Sequence, residues 1–319
     1  MLRSIVERRL SFEEAYELFD YFLKESDIKV AACLAALQAR NVSSEELAGF
    51  AKAMRDNCIK IDLGEVCDTC GTGGDNASTI NVSTAAAIVL SCFKKVAKHG
   101  NRSVTSRSGS ADVLESLGIR IVEKDKLKDM IERTNFAFLF APKFHPLLQK
   151  FSNLRKELGI RTIFNLAAPL ANPSEPKYQL IGVSDPRLVE VVAEAAEMLK
   201  IKRAIVVCGI KVDEVNPSGE TIVAEVENGI DFYKVYPKDF GFDSCKIIPC
   251  SDARESATRI EAVFRGKGLK EDEIFININS AMALFASGFS FKESLELVKV
   301  ADVEKKLEVL RCVSSSLIQ

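Results

Sequence analysis

DTCGTGGDNASTINVST at residues 68–84 and KHGNRSVTSRSGS at residues 98–110 are two glycine- and hydroxyl-rich loops, and together they decide the fold. Glycine lets a backbone approach a ligand closely, and serine and threonine hydroxyls donate hydrogen bonds. Each loop is followed by helix-forming sequence, so each can direct the free N–H groups of a helix start at an anion. Two such loops predict a ligand with phosphates at two places.

The residues around the loops predict the same local layout twice. Residues 66–67 resemble the end of a buried strand, and Ser83 opens an apolar run that suits a helix. Residues 96–97 then lead into the second loop, and residues 111–117 form a short helix stopped by a glycine. Strand, loop and helix in repetition are typical of an α/β sheet with ligand loops at one edge. A single glycine-rich loop is equally typical of a surface turn, so the repeated spacing is the stronger observation.

Helix signals dominate the first 65 residues. Capping boxes stand at Ser11 with Glu14 and at Ser43 with Glu46, and residues 27–40 are rich in alanine and leucine. Beyond the loops, strands are expected at residues 136–140, 178–183 and 204–208, a hairpin at 221–236, and helices at 125–133, 147–158, 186–200 and from 252 onward.

Several common site types are excluded. The third glycine of a dinucleotide fingerprint would fall on Asn76, and no triphosphate-binding G-x-x-x-x-G-K-[ST] occurs. Two histidines are too few for multi-histidine zinc chemistry, and no G-x-S-x-G nucleophile elbow is present. Nine scattered cysteines favour reduced thiols, and Cys67 with Cys70 is better explained by packing than by a metal or redox pair.

Composition predicts a cytoplasmic protein that binds neither nucleic acid nor membrane. The chain has 319 residues, 47% of them hydrophobic, and a formal charge of −2. No apolar stretch is long enough to cross a bilayer. Any affinity for anions must therefore be local, and Lys94, Lys95, Lys98, Arg102 and Arg107 place five cations around the second loop. The alternative for such a run is an ordinary solvated face.

At these loops the chain resembles the anthranilate phosphoribosyltransferase family. The family's strings Gly-Thr-Gly-Gly-Asp, Asn-x-Ser-Thr and Lys-His-Gly-Asn-Arg stand at residues 71–75, 81–84 and 98–102. The resemblance implies an α/β fold of the nucleoside phosphorylase/phosphoribosyltransferase type, with a small N-terminal helical domain and a large α/β domain around a central, mostly parallel sheet. Residues 1–65, joined by helices of about 146–172, would form the helical domain, and the rest of 66–319 the domain that binds phosphoribosyl pyrophosphate.

The resemblance also implies a function, the transfer of a phosphoribosyl group from phosphoribosyl pyrophosphate to the amine of anthranilate in tryptophan biosynthesis. The implied phosphoribosyl-pyrophosphate-binding residues are Gly71, Gly74, Asp75, Thr79, Asn81, Ser83, Thr84, Lys98, Asn101, Arg102, Ser103, Ser106 and Ser110. The implied anthranilate-binding residues are Gly71, His99, Asn101, His145 and Arg155. No residue is assigned as an acid or a base, because positioning and electrostatics suffice for this reaction. Arg102 has the alternative role of bracing its loop, Arg155 that of a surface residue, and the histidines a structural one.

A magnesium site and a dimer are implied in the same way. Mg²⁺ would be bound by Ser83, Asp213 and Glu214, although adjacent carboxylates are also typical of a solvated turn. The chain would form a homodimer through the helical domain. A pyrimidine-nucleoside phosphorylase of the same architecture and a non-enzymatic nucleic-acid-binding relative are the alternatives. The intact donor loops and the net charge count against the second of these.

Three departures from the family pattern bear on the site. Asn76 stands where glycine is common, and Ala167-Ala168-Pro169 replaces Leu-Gly-Pro in a segment expected to act as a hinge. Residues 208–212 lack a glycine and a histidine that usually precede the acidic pair. The shape of the acidic loop is therefore the least predictable part of the site.

Overall fold

The computed structural model describes residues 1–73, 78–102, 109–210 and 212–318. Four helices form the N-terminal part: α1 (Leu2–Glu7), α2 (Phe12–Lys24), α3 (Asp27–Ala39) and α4 (Ser44–Asp56). Both expected capping boxes are present, and they start α2 and α4. In each box a serine side chain accepts a backbone N–H while a glutamate accepts the N–H of that serine, so two otherwise unpaired donors of the helix start are satisfied.

A seven-stranded sheet forms the larger part. Its strands are β1 (Cys67–Gly71), β2 (Val96–Gly100), β3 (Phe136–Phe140), β4 (Tyr178–Gly182), β5 (Arg203–Cys208), β6 (Thr221–Val226) and β7 (Ile230–Val235). The spatial order is β3-β2-β1-β4-β5-β6-β7. The first five are mutually parallel, and β6 and β7 form the expected antiparallel hairpin. The expected fold class, a helical part beside a mostly parallel sheet, is confirmed.

Helices cover both faces of the sheet. They are α5 (Val82–Leu90), α6 (Ser110–Ser116), α7 (Leu127–Thr134), α8 (Ala141–Phe144), α9 (Ser152–Leu158), α10 (Ile163–Ala167), α11 (Arg187–Met198), α12 (Ala253–Phe264), α13 (Lys270–Ala286), α14 (Phe291–Val300) and α15 (Val303–Ser316). Short 3-10 turns lie at Lys124–Lys126, Pro146–Phe151, Pro169–Ala171 and Pro237–Phe240. The single helix expected at 147–158 is wrong: Pro146 starts a 3-10 turn, and the α-helix begins only at Ser152.

Two hydrophobic cores lie on opposite faces of the sheet. In β5, Ile205 and Val207 belong to one core while Ala204, Val206 and Cys208 belong to the other, as the two-residue period of a strand requires. The second core also contains α2, α3 and α4 together with Phe151 to Ala171 of the later helices. The N-terminal helices therefore share one core with the segment that follows β3 and with α11.

The order of the strands fixes where a ligand can bind. The chain builds β1, β2 and β3 in one direction and then returns to place β4 on the other side of β1. In open α/β sheets such a reversal leaves a crevice at the carboxyl ends of the strands. Both sequence loops leave the sheet there, after β1 and after β2. No helix in the described part of the chain is long and apolar enough to cross a membrane.

Candidate active site

A cleft of about 600 Å³ opens at the carboxyl ends of β1, β2, β4 and β5. Its far wall comes from α4 and from the segment that includes α9 and α10. Thirteen residues expected from the sequence line this one cleft: Gly71, Thr79, Asn81, Ser83, Lys98, His99, Asn101, Arg102, Ser110, His145, Arg155, Asp213 and Glu214. Residues from segments more than 140 positions apart thus meet at one place.

The start of α5 forms the first side of the cleft. Asn81 is the N-cap, and its Oδ1 accepts the backbone N–H of Thr84 at 3.1 Å and the hydroxyl of Ser83 at 3.2 Å. The backbone N–H of Asn81 donates to Ser256 Oγ at 2.8 Å, which ties the loop to α12. The helix therefore begins at Val82, one residue before the Ser83 expected from the sequence. Its positive end faces the cleft, which favours an anion there.

Lys98 lies beside this helix start and is almost fully buried. Its Nζ donates to the carbonyl oxygen of Thr69 at 2.6 Å and approaches Ser83 Oγ at 3.3 Å. Burial lowers the pKa of Lys98, and the nearby Cys70 and Asp68 act in the opposite direction. Lys98 thus links the ends of β1 and β2 and supplies positive charge to the floor of the cleft.

Asp68 provides the matching buried carboxylate. Its Oδ1 accepts the N–H of Thr69 at 2.8 Å and of His99 at 3.3 Å, and its Oδ2 accepts Asn172 Nδ2 at 2.8 Å. Burial raises the pKa of Asp68 to about 6, although Lys98 lowers it. The carboxylate joins β1, the backbone of β2 and the end of the later helical segment.

The acidic residues Asp213 and Glu214 lie on a turn that three glycines allow to approach the sheet. A Cβ on Gly182 would lie 2.7 Å from the carbonyl carbon of Asp213, and one on Gly209 would lie 2.6 Å from the carbonyl oxygen of Glu214. A Cβ on Gly71 would lie 3.0 Å from Asp213 Cγ and closer still to Oδ2. The N–H of Gly73 donates to Asp213 Oδ2 at 2.8 Å. The first loop and the acidic pair are therefore in direct contact.

The unusual sequence before the acidic pair still forms a compact turn. Ile210 has a φ of 67°, the left-handed conformation that favours glycine, and the N–H of Gly209 donates to the carbonyl of Val212 at 3.0 Å. A branched side chain at such a φ is strained by roughly 1–3 kcal/mol. Ile210 therefore costs stability in this conformation, which its surroundings keep. Lys211 lies outside the described residues.

The far wall contains two buried histidines whose ring centroids lie 5.1 Å apart. The ring of His99 hydrogen-bonds to the backbone of Ala168 and that of His145 to the backbone of Ala171. Burial lowers the pKa of His99 to about 3 and of His145 to about 4. Both rings are therefore neutral near pH 7. Each Nε2 is buried and has no hydrogen-bond partner among the described residues, so it remains an acceptor.

Residues 168–171, which contact these rings, have right-handed helical backbone conformations. Ala168, where a glycine is usual in the resembled family, has φ −54° and ψ −46°. The backbone conformation there does not require glycine. The carbonyl of Pro169 accepts Gln179 Nε2 at 2.9 Å, and that of Leu170 accepts Arg55 Nε. Side chains from four different elements thus fix this part of the wall.

Arg155 extends over the same wall. Its guanidinium lies 5.3 Å from the ring centroid of Phe164, and its NH2 group lies 3.4 Å from Asn165 Oδ1. Burial lowers the pKa of Arg155. It forms no ion pair with a carboxylate in residues 1–73, 78–102, 109–210 or 212–318. A positive charge that lines a cleft without an acidic partner suits an anionic ligand group.

The guanidinium of Arg102 is directed at α6. Its guanidinium forms paired hydrogen bonds of 2.7 and 2.8 Å with Glu115 and a third of 2.8 Å with Asp112, both on α6. It also lies 5.7 Å from the ring centroid of Phe140. These ion pairs raise the pKa of Arg102 further. The arrangement favours the bracing role over direct contact with a ligand.

The sequence has close matches among known proteins. Residues 63–303 match the glycosyl transferase family α/β domain, and residues 2–58 match that family's helical bundle domain. The anthranilate phosphoribosyltransferase of Pyrococcus furiosus is 57% identical over 99% of this chain and 100% of its own length. The chain belongs to the anthranilate phosphoribosyltransferase family.

Solved structures of the same family show the same fold. The anthranilate phosphoribosyltransferase of Thermus thermophilus has a TM-score of 0.91 at 32% identity, covering 99% of this chain and 98% of that one. The Saccharomyces cerevisiae anthranilate phosphoribosyltransferase, solved with phosphoribosyl pyrophosphate and Mg, has a TM-score of 0.86 at 29% identity, covering 97% and 94%. The family resemblance drawn from the two loops is confirmed.

Some residues expected for an anthranilate phosphoribosyltransferase site cannot be placed in the cleft. Gly74, Asp75, Ser103 and Ser106 lie outside the described residues, and so does Asn76, which departs from the family pattern. Thr84 is fully buried inside α5 and does not line the cleft. Its hydroxyl has no hydrogen-bond partner among the described residues.

Sequence reasoning missed other residues of this anthranilate phosphoribosyltransferase fold. Asn172 links Asp68 to the carbonyl of Ala97, and Asn279 lines the cleft from α13. Gly182 admits the acidic turn. Only the Asn-Pro step at residue 172 gave a local signal, and that signal indicates a turn. Cys67 and Cys70 are free thiols on β1, and burial raises the pKa of both to about 12, so packing explains them.

Proposed function

We propose that this cleft carries out the family's reaction, the transfer of the phosphoribosyl group from phosphoribosyl pyrophosphate to the amine of anthranilate, with release of pyrophosphate. The observation that supports it most is the meeting of a helix start and a buried lysine on one side with an arginine free of acidic partners among the described residues on the other. One side suits a pyrophosphate and the other a carboxylate. Those are the two anionic ends of the two substrates.

The pyrophosphate site would be built by Asn81, Ser83 and Lys98. The bond from the ribose to pyrophosphate breaks with positive charge growing on the sugar and negative charge growing on the leaving group. Donors fixed beforehand stabilise that negative charge without any further rearrangement. The N–H groups at the start of α5, the Ser83 hydroxyl and the buried charge of Lys98 are held by hydrogen bonds to one another and to β1. Gly71, Gly74, Asp75, Thr79, Asn101, Ser103, Ser106 and Ser110 would complete the site around the ribose.

The oxygen atoms of Ser83, Asp213 and Glu214 are the proposed ligands of Mg²⁺. Mg²⁺ prefers hard oxygen ligands and is usually bound by one or two carboxylates together with substrate phosphates. The three residues line the same cleft, and a glycine at position 71 leaves room for the Asp213 carboxylate. When bound, the ion would supply positive charge against the pyrophosphate oxygens.

The acceptor site would lie between Arg155 and the two histidines. A charge-assisted hydrogen bond from Arg155 would hold the anthranilate carboxylate. His99 and His145 would line the acceptor path as neutral rings. Asn101 would close the site from the second loop. Holding the amine against the sugar in this way supplies catalysis by orientation, for which no strong base is required.

A homodimer through the helical domain and a cytoplasmic location remain part of the proposal. Val6 on α1 and Ile28 on α3 are 66% and 83% exposed, which supports an apolar contact on that side. Wild-type protein should have the mass of a dimer in light scattering, and Ile28→Glu should have the mass of a monomer. If the two proteins had the same mass, this surface would not be the interface. The cytoplasmic location rests on the biosynthetic relatives alone.

Product analysis tests the proposed reaction against a nucleoside phosphorylase. Purified protein with anthranilate, phosphoribosyl pyrophosphate and Mg²⁺ should give N-phosphoribosylanthranilate and equimolar pyrophosphate, measured by mass spectrometry and a pyrophosphate assay. The same protein with a pyrimidine nucleoside and inorganic phosphate should give no free base. The reverse pattern would replace the transferase with the phosphorylase.

A further inference from the structure

The turn with the acidic pair is held by a side chain from a distant helix. Asn279, in the middle of α13, donates from Nδ2 to the carbonyl of Val215 at 3.0 Å and accepts the N–H of Val215 on Oδ1 at 2.9 Å. Both backbone groups of the residue after Glu214 are therefore paired with one amide side chain. A third bond, from Nδ2 to the carbonyl of Phe275 at 2.9 Å, fixes the rotation of the amide.

The two hydrogen bonds between Asn279 and Val215, called the clamp below, lie in buried surroundings. Asn279 is 2% exposed, and Val215 is 1% exposed, so water does not replace the bonds. A side-chain amide carries a donor and an acceptor side by side, so one group can pair with both the carbonyl and the N–H of Val215. On the opposite side, the glycines at 71, 182 and 209 bring the turn to backbone distance from the strand ends. The turn therefore contacts both the strand ends and α13, and the hydrogen bonds from Asn279 fix its position.

We propose that Asn279 is a positioning residue that orients Asp213 and Glu214 toward the cation and the pyrophosphate. It does not touch the substrates in this role; it acts through Val215. The inference rests on the proposed function, because it assigns a purpose to the acidic pair of that same site. Residues that orient metal ligands typically change metal affinity or activity by about 10- to 100-fold when they are replaced.

The test compares Asn279→Ala with Ile276→Ala. Ile276 lies in the same helix and is 1% exposed but does not line the cleft, so its truncation lowers stability without removing a hydrogen bond to the acidic turn. In Asn279→Ala, the Mg²⁺ concentration for half-maximal activity should rise about 10- to 100-fold. Calorimetric binding of phosphoribosyl pyrophosphate in the presence of Mg²⁺ should weaken, and the Michaelis constant for anthranilate should stay within about twofold, given its separate wall. Ile276→Ala should leave all three values unchanged.

Amide hydrogen exchange of Val215 in the metal-free protein supplies an independent readout. The Val215 amide should exchange faster in Asn279→Ala and keep its wild-type rate in Ile276→Ala. Asn279→Asp has the same size, keeps an acceptor for the Val215 N–H and loses the donors, so it serves if the alanine variant does not fold. Wild-type magnesium dependence in a folded Asn279 variant, or an equal shift in Ile276→Ala, would overturn the proposal. If wild-type protein bound phosphoribosyl pyrophosphate without any need for Mg²⁺, the proposed metal site would fail instead, while the exchange result would still report on the clamp.

Discussion

Replacing Gly71 by alanine should separate the acidic pair from its loop while leaving the fold intact. The new Cβ would lie 3.0 Å from Asp213 Cγ and inside contact distance of Oδ2. The neighbour is the end of a side chain, so the Asp213 carboxylate can rotate away. Rotation removes the bond that Gly73 donates to Oδ2 at 2.8 Å. Gly182→Ala, in contrast, would meet the backbone of Asp213 and should not fold normally.

The size of the effect follows from the bond that is lost. A hydrogen bond to a charged group contributes about 1.5–3 kcal/mol, which corresponds to a change of roughly 10- to 150-fold. We expect the magnesium concentration for half-maximal activity to rise by that factor in Gly71→Ala. Gly219→Ala is the matched control, because a Cβ there meets no heavy atom within 4 Å and its φ is not left-handed.

Steady-state kinetics at a series of magnesium concentrations distinguishes this account from a simple blockage. A methyl group that only obstructs the substrate raises the Michaelis constant for phosphoribosyl pyrophosphate by the same factor at every magnesium concentration. Displacement of Asp213 instead gives a defect that high magnesium partly relieves. A Gly71→Ala protein with wild-type magnesium dependence would refute the contact between the first loop and the acidic pair as a functional one.

Three other predictions address the rest of the cleft. Arg155→Ala should raise the Michaelis constant for anthranilate by about ten- to a hundred-fold, because the lost hydrogen bond is charge-assisted. The Michaelis constant for phosphoribosyl pyrophosphate should stay unchanged. Equal changes in both constants would mean that Arg155 stabilises the wall of the cleft and does not bind anthranilate. Glu115→Gln should weaken phosphoribosyl pyrophosphate binding in calorimetry, and Arg102→Ala should weaken it in the same way, because Arg102 braces the loop through Glu115. Tighter binding in Glu115→Gln would mean that Arg102 contacts the pyrophosphate. Burial raises the pKa of Asp68 to about 6, so the folded protein binds the Asp68 proton more tightly than the unfolded chain does. The stability that this proton contributes is therefore complete below about pH 4 and is lost as the pH rises through about 6. Asp68→Asn should therefore flatten the dependence of Tm on pH between 4 and 6, and an unchanged slope would contradict the raised pKa.

Local signals in the sequence predicted most of the fold. Capping boxes at Ser11 and Ser43, the turn between β6 and β7 and the strand ends before the two loops each depend on residues a few positions apart. Such signals survive folding because the interactions they describe are local. The single helix expected at 147–158 was wrong. Pro146 starts a 3-10 turn there, which the apolar pattern did not reveal.

The supporting residues of the site could not be predicted from local patterns. Asn279 holds a residue 64 positions away, and Asn172 holds Asp68 over 104 positions. An asparagine inside a helix or before a proline has many uses, and only the tertiary fold selects one. Arg102 shows the same limit, because an arginine in a phosphate loop suits a ligand or a brace equally well until Glu115 is seen beside it.

A structure of this chain with phosphoribosyl pyrophosphate, Mg²⁺ and a non-reacting anthranilate analogue tests the central claim most directly. The account predicts pyrophosphate oxygens against Ser83 and the start of α5, a cation bound by Asp213 or Glu214, and the analogue's carboxylate against Arg155. An analogue bound with its carboxylate away from Arg155, or a pyrophosphate group on the outer face beside Arg102 and Glu115, would contradict it.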